Sequence, residues 1–299
     1  MVNSSVKFMA TERRNILKKG LVLEGGAMRG LFTAGVTDAM MEHGIVFDGV
    51  IGVSAGACFG CNYKSGQKGR ALRYNVKYCN DPRYCSLRSL IKTGDMYGGD
   101  FCYHELPEKL DVFDSDAFEK SPVEFYIVCT DVETGKPVYH KMDKCDYTEL
   151  EWMRACASMP LVSRIVEIDG MMMLDGGVSD SVPLEYFQSI GFEKNVVVLT
   201  QPRGYIKKAN SLMPLIRMKL KKYPKLVEAM HKRHIMYNKT LEYIWDEEKK
   251  GNVLVLCPEE NLPIKRVEHK AEKLTEVYNM GRCVFEKNSE KVKYFCEKH

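Results

Sequence analysis

The stretch 50–63, VIGVSAGACFGCNY, joins four apolar residues to a run of small ones. Residues 50–53 predict a strand buried on both faces, and the segment from Ala55 to about Tyr63 predicts a helix. Between them, GVSAG matches G-x-S-x-G, in which a serine occupies a strained turn from strand to helix. The pattern comprises Gly52, Val53, Ser54, Ala55 and Gly56. It predicts an exposed nucleophilic hydroxyl on Ser54, and the alternative is a serine in an ordinary tight turn.

Other apolar runs alternate with helical segments along the chain. Strands are expected at 21–23, 124–130, 196–199 and 253–256, and a helix is expected at 31–42. A turn at Asp169-Gly170 predicts a hairpin that joins residues 164–168 to residues 171–174. Short apolar runs that alternate with helices are typical of an α/β fold with a mostly parallel central sheet.

Composition limits the function classes. The 299 residues include 45% hydrophobic and 28% charged residues, and the net charge of +4 is too small to indicate a nucleic-acid partner. The first twenty residues contain no apolar signal region and no long apolar run follows, so we expect a cytoplasmic protein. The eleven cysteines are then free thiols. Cys58 and Cys61 have C-x-x-C spacing but no second ligand pair, so no metal site is expected.

The segment 203–234 differs in composition from the rest of the chain. It contains ten Lys or Arg residues and a single acidic residue, Glu228. Pro214 and Pro224 divide any helix there into pieces, and leucine, isoleucine and methionine provide an apolar side. One interpretation is a solvated helix pair packed on the sheet. The other is transient contact with an anionic surface, as a peripheral protein at the inner face of a membrane.

A glycine cluster at 25–30 lies between the first strand and the first helix. It consists of Gly25, Gly26, Ala27, Met28, Arg29 and Gly30. Glycines allow several backbone N–H groups to converge at a helix N-terminus, where they bind negative charge. That charge is either a nucleotide phosphate or the oxyanion of a tetrahedral intermediate, and a purely structural turn is a third interpretation. Ala27 occupies the second glycine position of the dinucleotide fingerprint, which argues against that fingerprint.

A serine nucleophile needs a base that accepts its proton. None of the seven histidines lies in a glycine-framed loop. Asp175 directly follows the apolar run 171–174 and is followed by Gly176 and Gly177, which allow close backbone approach. An aspartate there is a candidate general base, although Asp-Gly pairs are also common in turns.

Four ordered blocks resemble the patatin-like phospholipase family, in particular bacterial patatin-like acyl hydrolases. They read GGAMRG (25–30), GVSAG (52–56), RACASMP (154–160) and DGG (175–177). The resemblance implies a three-layer α/β/α fold in one domain spanning 1–299. Its motif-bearing core covers about 19–185, and a helical, basic region at about 203–299 packs on that core. Ala27 replaces the third glycine of the family pattern, and a positive φ there would cost about 1 kcal/mol.

The same resemblance assigns roles to residues. Ser54 is the nucleophile and Asp175 its base, so that the two form a dyad without histidine. The N–H groups around Gly25, Gly26 and Ala27 form the oxyanion hole, and Arg29 supports that loop. No cofactor or metal is implied. The expected activity is hydrolysis of a fatty acyl ester of a lipid.

Three alternatives remain open from the sequence. A conventional triad would use Ser54, Asp175 and either His231 or His234, although an α/β-hydrolase places its elbow after several strands. An acyltransferase would use the same dyad but pass the acyl group to an alcohol. A non-catalytic relative would bind an acyl lipid without cleaving it.

Overall fold

The computed structural model describes residues 17–297 and contains one mixed sheet of eight strands. The strands are β1 (Lys19–Leu23), β2 (Gly49–Val53), β3 (Glu124–Asp131), β4 (Pro137–Lys141), β5 (Val166–Ile168), β6 (Met171–Asp175), β7 (Lys194–Val198) and β8 (Val253–Leu256). Their order is β5-β6-β3-β2-β1-β7-β8, and β4 also pairs with β3. The strands β3, β2, β1, β7 and β8 run parallel, whereas β4, β5 and β6 pair antiparallel.

Helices cover both faces of this sheet. They are α1 (Gly30–Glu42), α2 (Ala55–Ser65), α3 (Arg70–Tyr78), α4 (Leu87–Thr93), α5 (Ser115–Lys120), α6 (Tyr147–Cys156), α7 (Leu184–Ser189), α8 (Met213–Lys219), α9 (Pro224–Lys249) and α10 (Ala271–Glu297). A π-helix, Phe101–Leu110, lies between α4 and α5.

Alternate residues of the central strands pack into two separate cores. Leu21 and Leu23 of β1 contact the core that includes α1, α2 and α10. Val22, between them, contacts the opposite core with α7 and α9. Burial on both faces explains why these strands are continuous apolar runs. The three-layer α/β/α fold with a mostly parallel sheet is therefore confirmed.

The register of β3 explains how two distant parts of the chain meet. Residue Val128 pairs with Val53 at the end of β2, and the next residue, Cys129, pairs with Asp175 of β6. Because β4 pairs with residues 126–130 throughout, β2 and β6 must follow one another along the other edge of β3. The last residue of β6 is thereby placed next to the point where Ser54 leaves β2.

The C-terminal region contributes β8 to the sheet and α10 to one helical layer. Helices α1 and α10 cross at two glycines. A Cβ atom added at Gly35 would lie 2.0 Å from the Tyr278 carbonyl oxygen, and one added at Gly281 would lie 2.0 Å from the Phe32 carbonyl oxygen. Neither position tolerates a side chain without separating the two helices.

The sequence predicted the main elements with small errors at their ends. The expected strand 253–256 and the hairpin around Asp169-Gly170 are confirmed. Strand β4 was not expected. Among residues 17–297, no helix combines the length and apolar character needed to cross a bilayer.

Candidate active site

Ser54 occupies a strained turn between β2 and α2. Its φ of 54° and ψ of −125° lie in a region that non-glycine residues rarely adopt. A Cβ atom at Gly52 would lie 2.6 Å from the amide nitrogen of Ala57, and one at Gly56 would lie 2.5 Å from the Leu23 carbonyl oxygen. These approaches show why the sequence needs glycine on both sides of the serine.

The glycine loop lies directly against the serine. A Cβ atom at Gly25 would lie 2.9 Å from the Val53 carbonyl oxygen and 3.0 Å from the Ser54 Cβ. Gly26 precedes a short 3₁₀ turn, Ala27–Arg29. Within the described chain, the amides of Gly25 and Gly26 donate no hydrogen bond. Unoccupied backbone donors beside a nucleophile can stabilise an oxyanion.

Ala27 has the positive φ that a glycine usually provides. Its φ is 48°, in the left-handed region. This is the position at which the chain departs from the glycine pattern of the family. An L-residue in this conformation costs about 1–2 kcal/mol, which the surrounding contacts must offset.

Asp175 ends β6 with its side chain 1% exposed. Its Oδ1 atom accepts a hydrogen bond from the Gly177 amide at 2.7 Å, whereas its Oδ2 atom is buried and has no partner in the described residues. Burial raises the pKa of Asp175, and the Ser54 hydroxyl, the Gly177 amide and the Arg233 charge oppose that rise. The serine hydroxyl is thus close enough to stabilise the carboxylate without forming a short hydrogen bond. Such loose geometry is common before substrate binds.

The block 154–160 touches both halves of the pair. Cys156 Sγ accepts a hydrogen bond from the Ser54 amide at 3.2 Å. The Ser158 carbonyl oxygen accepts one from the Asp175 amide at 2.9 Å. This segment fixes the backbone of the nucleophile relative to that of the aspartate, a function that the sequence pattern did not reveal.

A buried glutamate that the sequence analysis missed supports the glycine loop. Glu24 Oε2 accepts hydrogen bonds from the Thr200 amide at 2.6 Å and the Thr200 hydroxyl at 3.1 Å. Its Oε1 accepts one from the Tyr237 hydroxyl at 2.7 Å. The loop is therefore tied to the end of β7 and to α9.

Helix α9 also holds the turn that follows Asp175. Arg233 Nε donates a hydrogen bond to the Gly177 carbonyl oxygen. Burial and the neighbouring Arg266 lower the pKa of Arg233, whereas the charge of Asp175 raises it. Arg233 thus fixes the Asp-Gly-Gly turn and provides positive charge beside the buried carboxylate. No motif indicated this role, because Arg233 is one of many cations in the basic stretch.

A cavity of about 820 Å³ opens beside Ser54 and Asp175. Its lining includes Gly25, Gly26, Ala27, Met28, Arg29, Ser54, Ala55, Asp175 and Gly177. Aromatic side chains from several elements line another part of it, among them Phe59, Tyr74, Tyr84, Phe113 and Phe118. The volume is in the range typical of small-molecule binding sites.

The described histidines include two on α9, His231 and His234, the candidates for a conventional triad. His231 is exposed, and His234 lines the cavity with its Nδ1 atom 3.1 Å from the His231 carbonyl oxygen. No described histidine forms a hydrogen bond with Ser54 or Asp175. Within residues 17–297, no group of three His, Cys, Asp or Glu side chains could hold a metal ion.

The fold and this geometry define a class: an α/β protein with a nucleophile elbow, a glycine-rich amide loop and a buried aspartate beside the serine. Residues 21–187 match the family described as patatin-like phospholipase. Since that match spans more than half of the chain, the protein belongs to the patatin-like phospholipase family. Residues 223–297 match a second family, described as a domain of unknown function, DUF6363.

Relatives share only part of their length with this chain. The uncharacterized protein YjjU of Escherichia coli K12 is 31% identical over 196 residues, which are 61% of this chain and 52% of YjjU. The lysophospholipase nte1 of Aspergillus fumigatus is 29% identical over 180 residues, 58% of this chain and 11% of the fungal protein. Among solved structures, VipD from Legionella pneumophila aligns over 94% of this chain and 67% of its own, with a TM-score of 0.45 and 10% identity.

Proposed function

We propose that this protein hydrolyses an acyl ester of a lipid, with Ser54 as nucleophile and Asp175 as general base. The observation that carries the proposal is the buried Asp175 carboxylate beside the Ser54 hydroxyl at an aromatic-lined cavity. The similarity to a protein named lysophospholipase supports a lipid ester as substrate.

The geometry supports a two-step mechanism. Ser54 Oγ attacks the ester carbonyl carbon while Asp175 Oδ2, which has no other partner in the described residues, accepts the hydroxyl proton. The amides of Gly25, Gly26 and Ala27 face the negative charge that develops on the carbonyl oxygen, and loss of one such donor costs about 10²–10³ in rate. Asp175 returns the proton to the departing alcohol. Water, deprotonated by the same carboxylate, then releases the fatty acid.

A serine-directed fluorophosphonate probe together with product analysis tests this proposal. We expect the wild-type protein to be labelled and to release fatty acid from a lysophospholipid, and Ser54→Ala to do neither. Ser65→Ala is the matched control, because Ser65 lies at the other end of α2. Labelling of the Ser54→Ala protein, or an unlabelled wild type, would exclude Ser54 as an activated nucleophile. Transfer of the acyl group to added glycerol in preference to water would instead favour the acyltransferase.

We further propose that the protein meets its substrate at an anionic membrane surface, in a cytoplasmic setting supported by its free thiols. Helix α8 buries Met213 and Ile216, whereas Leu212 and Met218 are 53% and 63% exposed. Exposed cations surround this apolar face: Arg217, Lys219, Lys221 and Lys222. An apolar face surrounded by cations complements an anionic bilayer.

Vesicle sedimentation tests this surface. We expect binding to phosphatidylcholine vesicles only when phosphatidylglycerol is included, and loss of that binding in the double variant Leu212→Asp/Met218→Asp. The control is Ile91→Asp on α4, an apolar residue that lies outside α8 and is even more exposed, at 85%. If the Ile91 variant lost binding and the double variant kept it, α8 would not be the docking surface.

A further inference from the structure

Two chemically different clusters line the cavity beside Ser54. One is aromatic: the rings of Phe59 and Tyr74 lie 6.3 Å apart, and those of Tyr74 and Tyr84 lie 6.4 Å apart. The other consists of four of the six Lys and Arg residues that line the cavity: Arg29, Lys207, Arg233 and Arg266. An amphiphile with an apolar chain and an anionic group matches this division.

The four cations, here called the cation cluster, outnumber the acidic groups near them among the described residues. None of them forms an ion pair with a described carboxylate. The Nε atom of Arg29 is buried and has no hydrogen-bond partner in the part of the chain that the structure describes. Two carboxylates of the described residues line the cavity: Glu24, which accepts hydrogen bonds from Thr200 and Tyr237, and Asp175, whose charge lies near Arg233. The cluster therefore has an excess of positive charge that a bound anion would neutralise.

Contacts of both the backbone and the side chain hold Lys207 in place. Its amide donates to Asn238 Oδ1 at 2.8 Å, and its carbonyl oxygen accepts from Asn238 Nδ2 at 3.0 Å. Its ammonium lies 3.9 Å from the centre of the Tyr237 ring. Burial and the charge of Arg233 lower the pKa of Lys207 to about 7. A lysine fixed in a cation-rich, partly buried position gains much from a bound anion.

We propose that the cation cluster binds a phosphate group of the lipid substrate, so that phosphate-bearing acyl esters are preferred over uncharged ones. The inference rests on the proposed hydrolysis at Ser54. A phosphate offers several acceptor oxygens with full charge, and guanidinium groups bind such oxygens in pairs. With the acyl chain on the aromatic cluster and the phosphate on the cation cluster, the ester lies between them, near Ser54.

A matched pair of soluble substrates tests the preference. Octanoyl lysophosphatidate and monooctanoylglycerol carry the same acyl ester and differ by the phosphate. We expect the ratio of their kcat/KM values to favour the phosphate ester, and to fall about 10- to 100-fold in Lys207→Met, which removes a charge-assisted bond. Arg266→Ala should also lower the ratio. Because Arg266 is exposed, we expect this variant to fold normally. Lys265→Ala, an exposed neighbour outside the cavity lining, is the control.

A binding measurement separates this inference from the proposed activity. Calorimetry with the Ser54→Ala protein measures the affinity for octanoyl lysophosphatidate, for monooctanoylglycerol and for inorganic phosphate. Tight binding of the lysophosphatidate alone, weakened by Lys207→Met, supports the inference even if the wild type hydrolyses neither ester. Equal affinities for the two lipids, or inorganic phosphate bound as tightly as the lysophosphatidate, would overturn it.

The pH dependence gives a further readout. Charged or titratable groups that face Lys207 are Glu24, Arg29, Tyr205, Arg233, Tyr237 and Arg266. As the pH rises through about 7, Lys207 loses its proton while the phosphate monoester also completes its second ionisation, so the contribution of Lys207 is the difference between the pH profiles of the wild type and of Lys207→Arg. Lys207→Arg stays charged and should keep the preference at higher pH. If the ratio changed with pH in the same way in the wild type and in Lys207→Arg, Lys207 would be excluded from the phosphate site.

Discussion

The motif-bearing region 19–185 and the C-terminal region 203–297 contribute to the site in different ways. The first provides the serine, the aspartate and the amide loop, each held by glycines that allow backbone to approach backbone. The second provides single side chains on a long helix: Arg233 bonds the Asp-Gly-Gly turn, and Tyr237 bonds Glu24 below the amide loop. The difference teaches that backbone contacts within the motif-bearing region place the reacting groups, whereas the C-terminal region supports them through single side chains.

The largest effect is expected in the first region, at Asp175. Asp175→Asn removes the proposed base and should lower kcat for a soluble ester by about 10³- to 10⁵-fold. Because burial raises the pKa of Asp175, the ionised carboxylate costs folding free energy at neutral pH, and that cost disappears as the pH falls through the raised pKa. The asparagine is uncharged, so the variant should melt a few degrees higher than the wild type. Ester kinetics and thermal unfolding at neutral pH measure both.

The control for this change is Asp38→Asn. Asp38 is also a buried carboxylate with a raised pKa, but it lies on α1 and bonds Tyr278. We expect its activity to remain near that of the wild type. An Asp175→Asn protein with undiminished turnover would contradict the dyad and show that another residue is the general base.

The second region should show a smaller and different effect at Arg233. Arg233→Met removes both the bond to Gly177 and a charge that opposes the raised pKa of Asp175. We expect kcat for an uncharged ester to fall about 10- to 100-fold and the acid limb of the pH profile to move to higher pH. Because Arg233→Lys keeps the positive charge, it should return the acid limb of the pH profile toward its wild-type position more fully than it restores kcat. The exposed neighbour Lys239→Met is the control, and a lower rate with an unmoved acid limb would make Arg233 a purely structural residue.

Tyr237 tests whether α9 also positions the amide loop. Tyr237→Phe leaves buried Glu24 with one donor fewer, which should cost about 1–3 kcal/mol of stability and reduce kcat several-fold. Tyr278→Phe is closely matched, because that hydroxyl also donates to a buried carboxylate, Asp38, away from the cavity. We expect both variants to lose similar stability in chemical denaturation but only the first to lose activity. Equal activities would show that the loop holds its shape without α9.

The strands that the sequence predicted best are those buried on both faces. The runs around Val22, Ile51 and Val255 are continuous and apolar because helices cover both sides. Strand β4 escaped notice because its five residues are only partly buried or exposed, begin with Pro137 and include His140 and Lys141, so no regular pattern appears. Its pairing with β3 is a tertiary contact that local sequence does not encode.

The candidate site also contains residues that the sequence could indicate and residues that it could not. Residues in glycine-framed blocks could be singled out, since a glycine spacing restricts the backbone around Ser54 and Asp175. Arg233 and Lys207 could not, because each is one cation among ten in a basic stretch. Only the fold shows that these two reach the cavity while Arg217 and Lys219 lie exposed on α8.

The smallest expected effect lies at Ala27, which replaces the third glycine of the family pattern in the amide loop. At a φ of 48°, Ala27→Gly should relieve local strain, although the unfolded chain gains freedom from the new glycine. We expect a net stabilisation of about 0–1 kcal/mol with kcat retained, because the amide remains. Ala117→Gly, in the helix α5, is the control and should lose about 0.5–1 kcal/mol. Chemical denaturation measures both changes. Ala27→Gly could instead destabilise the protein as much as the control does. The contacts of the alanine Cβ would then contribute more free energy than the backbone strain costs. In that case the amide loop, like the C-terminal region, would depend on side-chain packing.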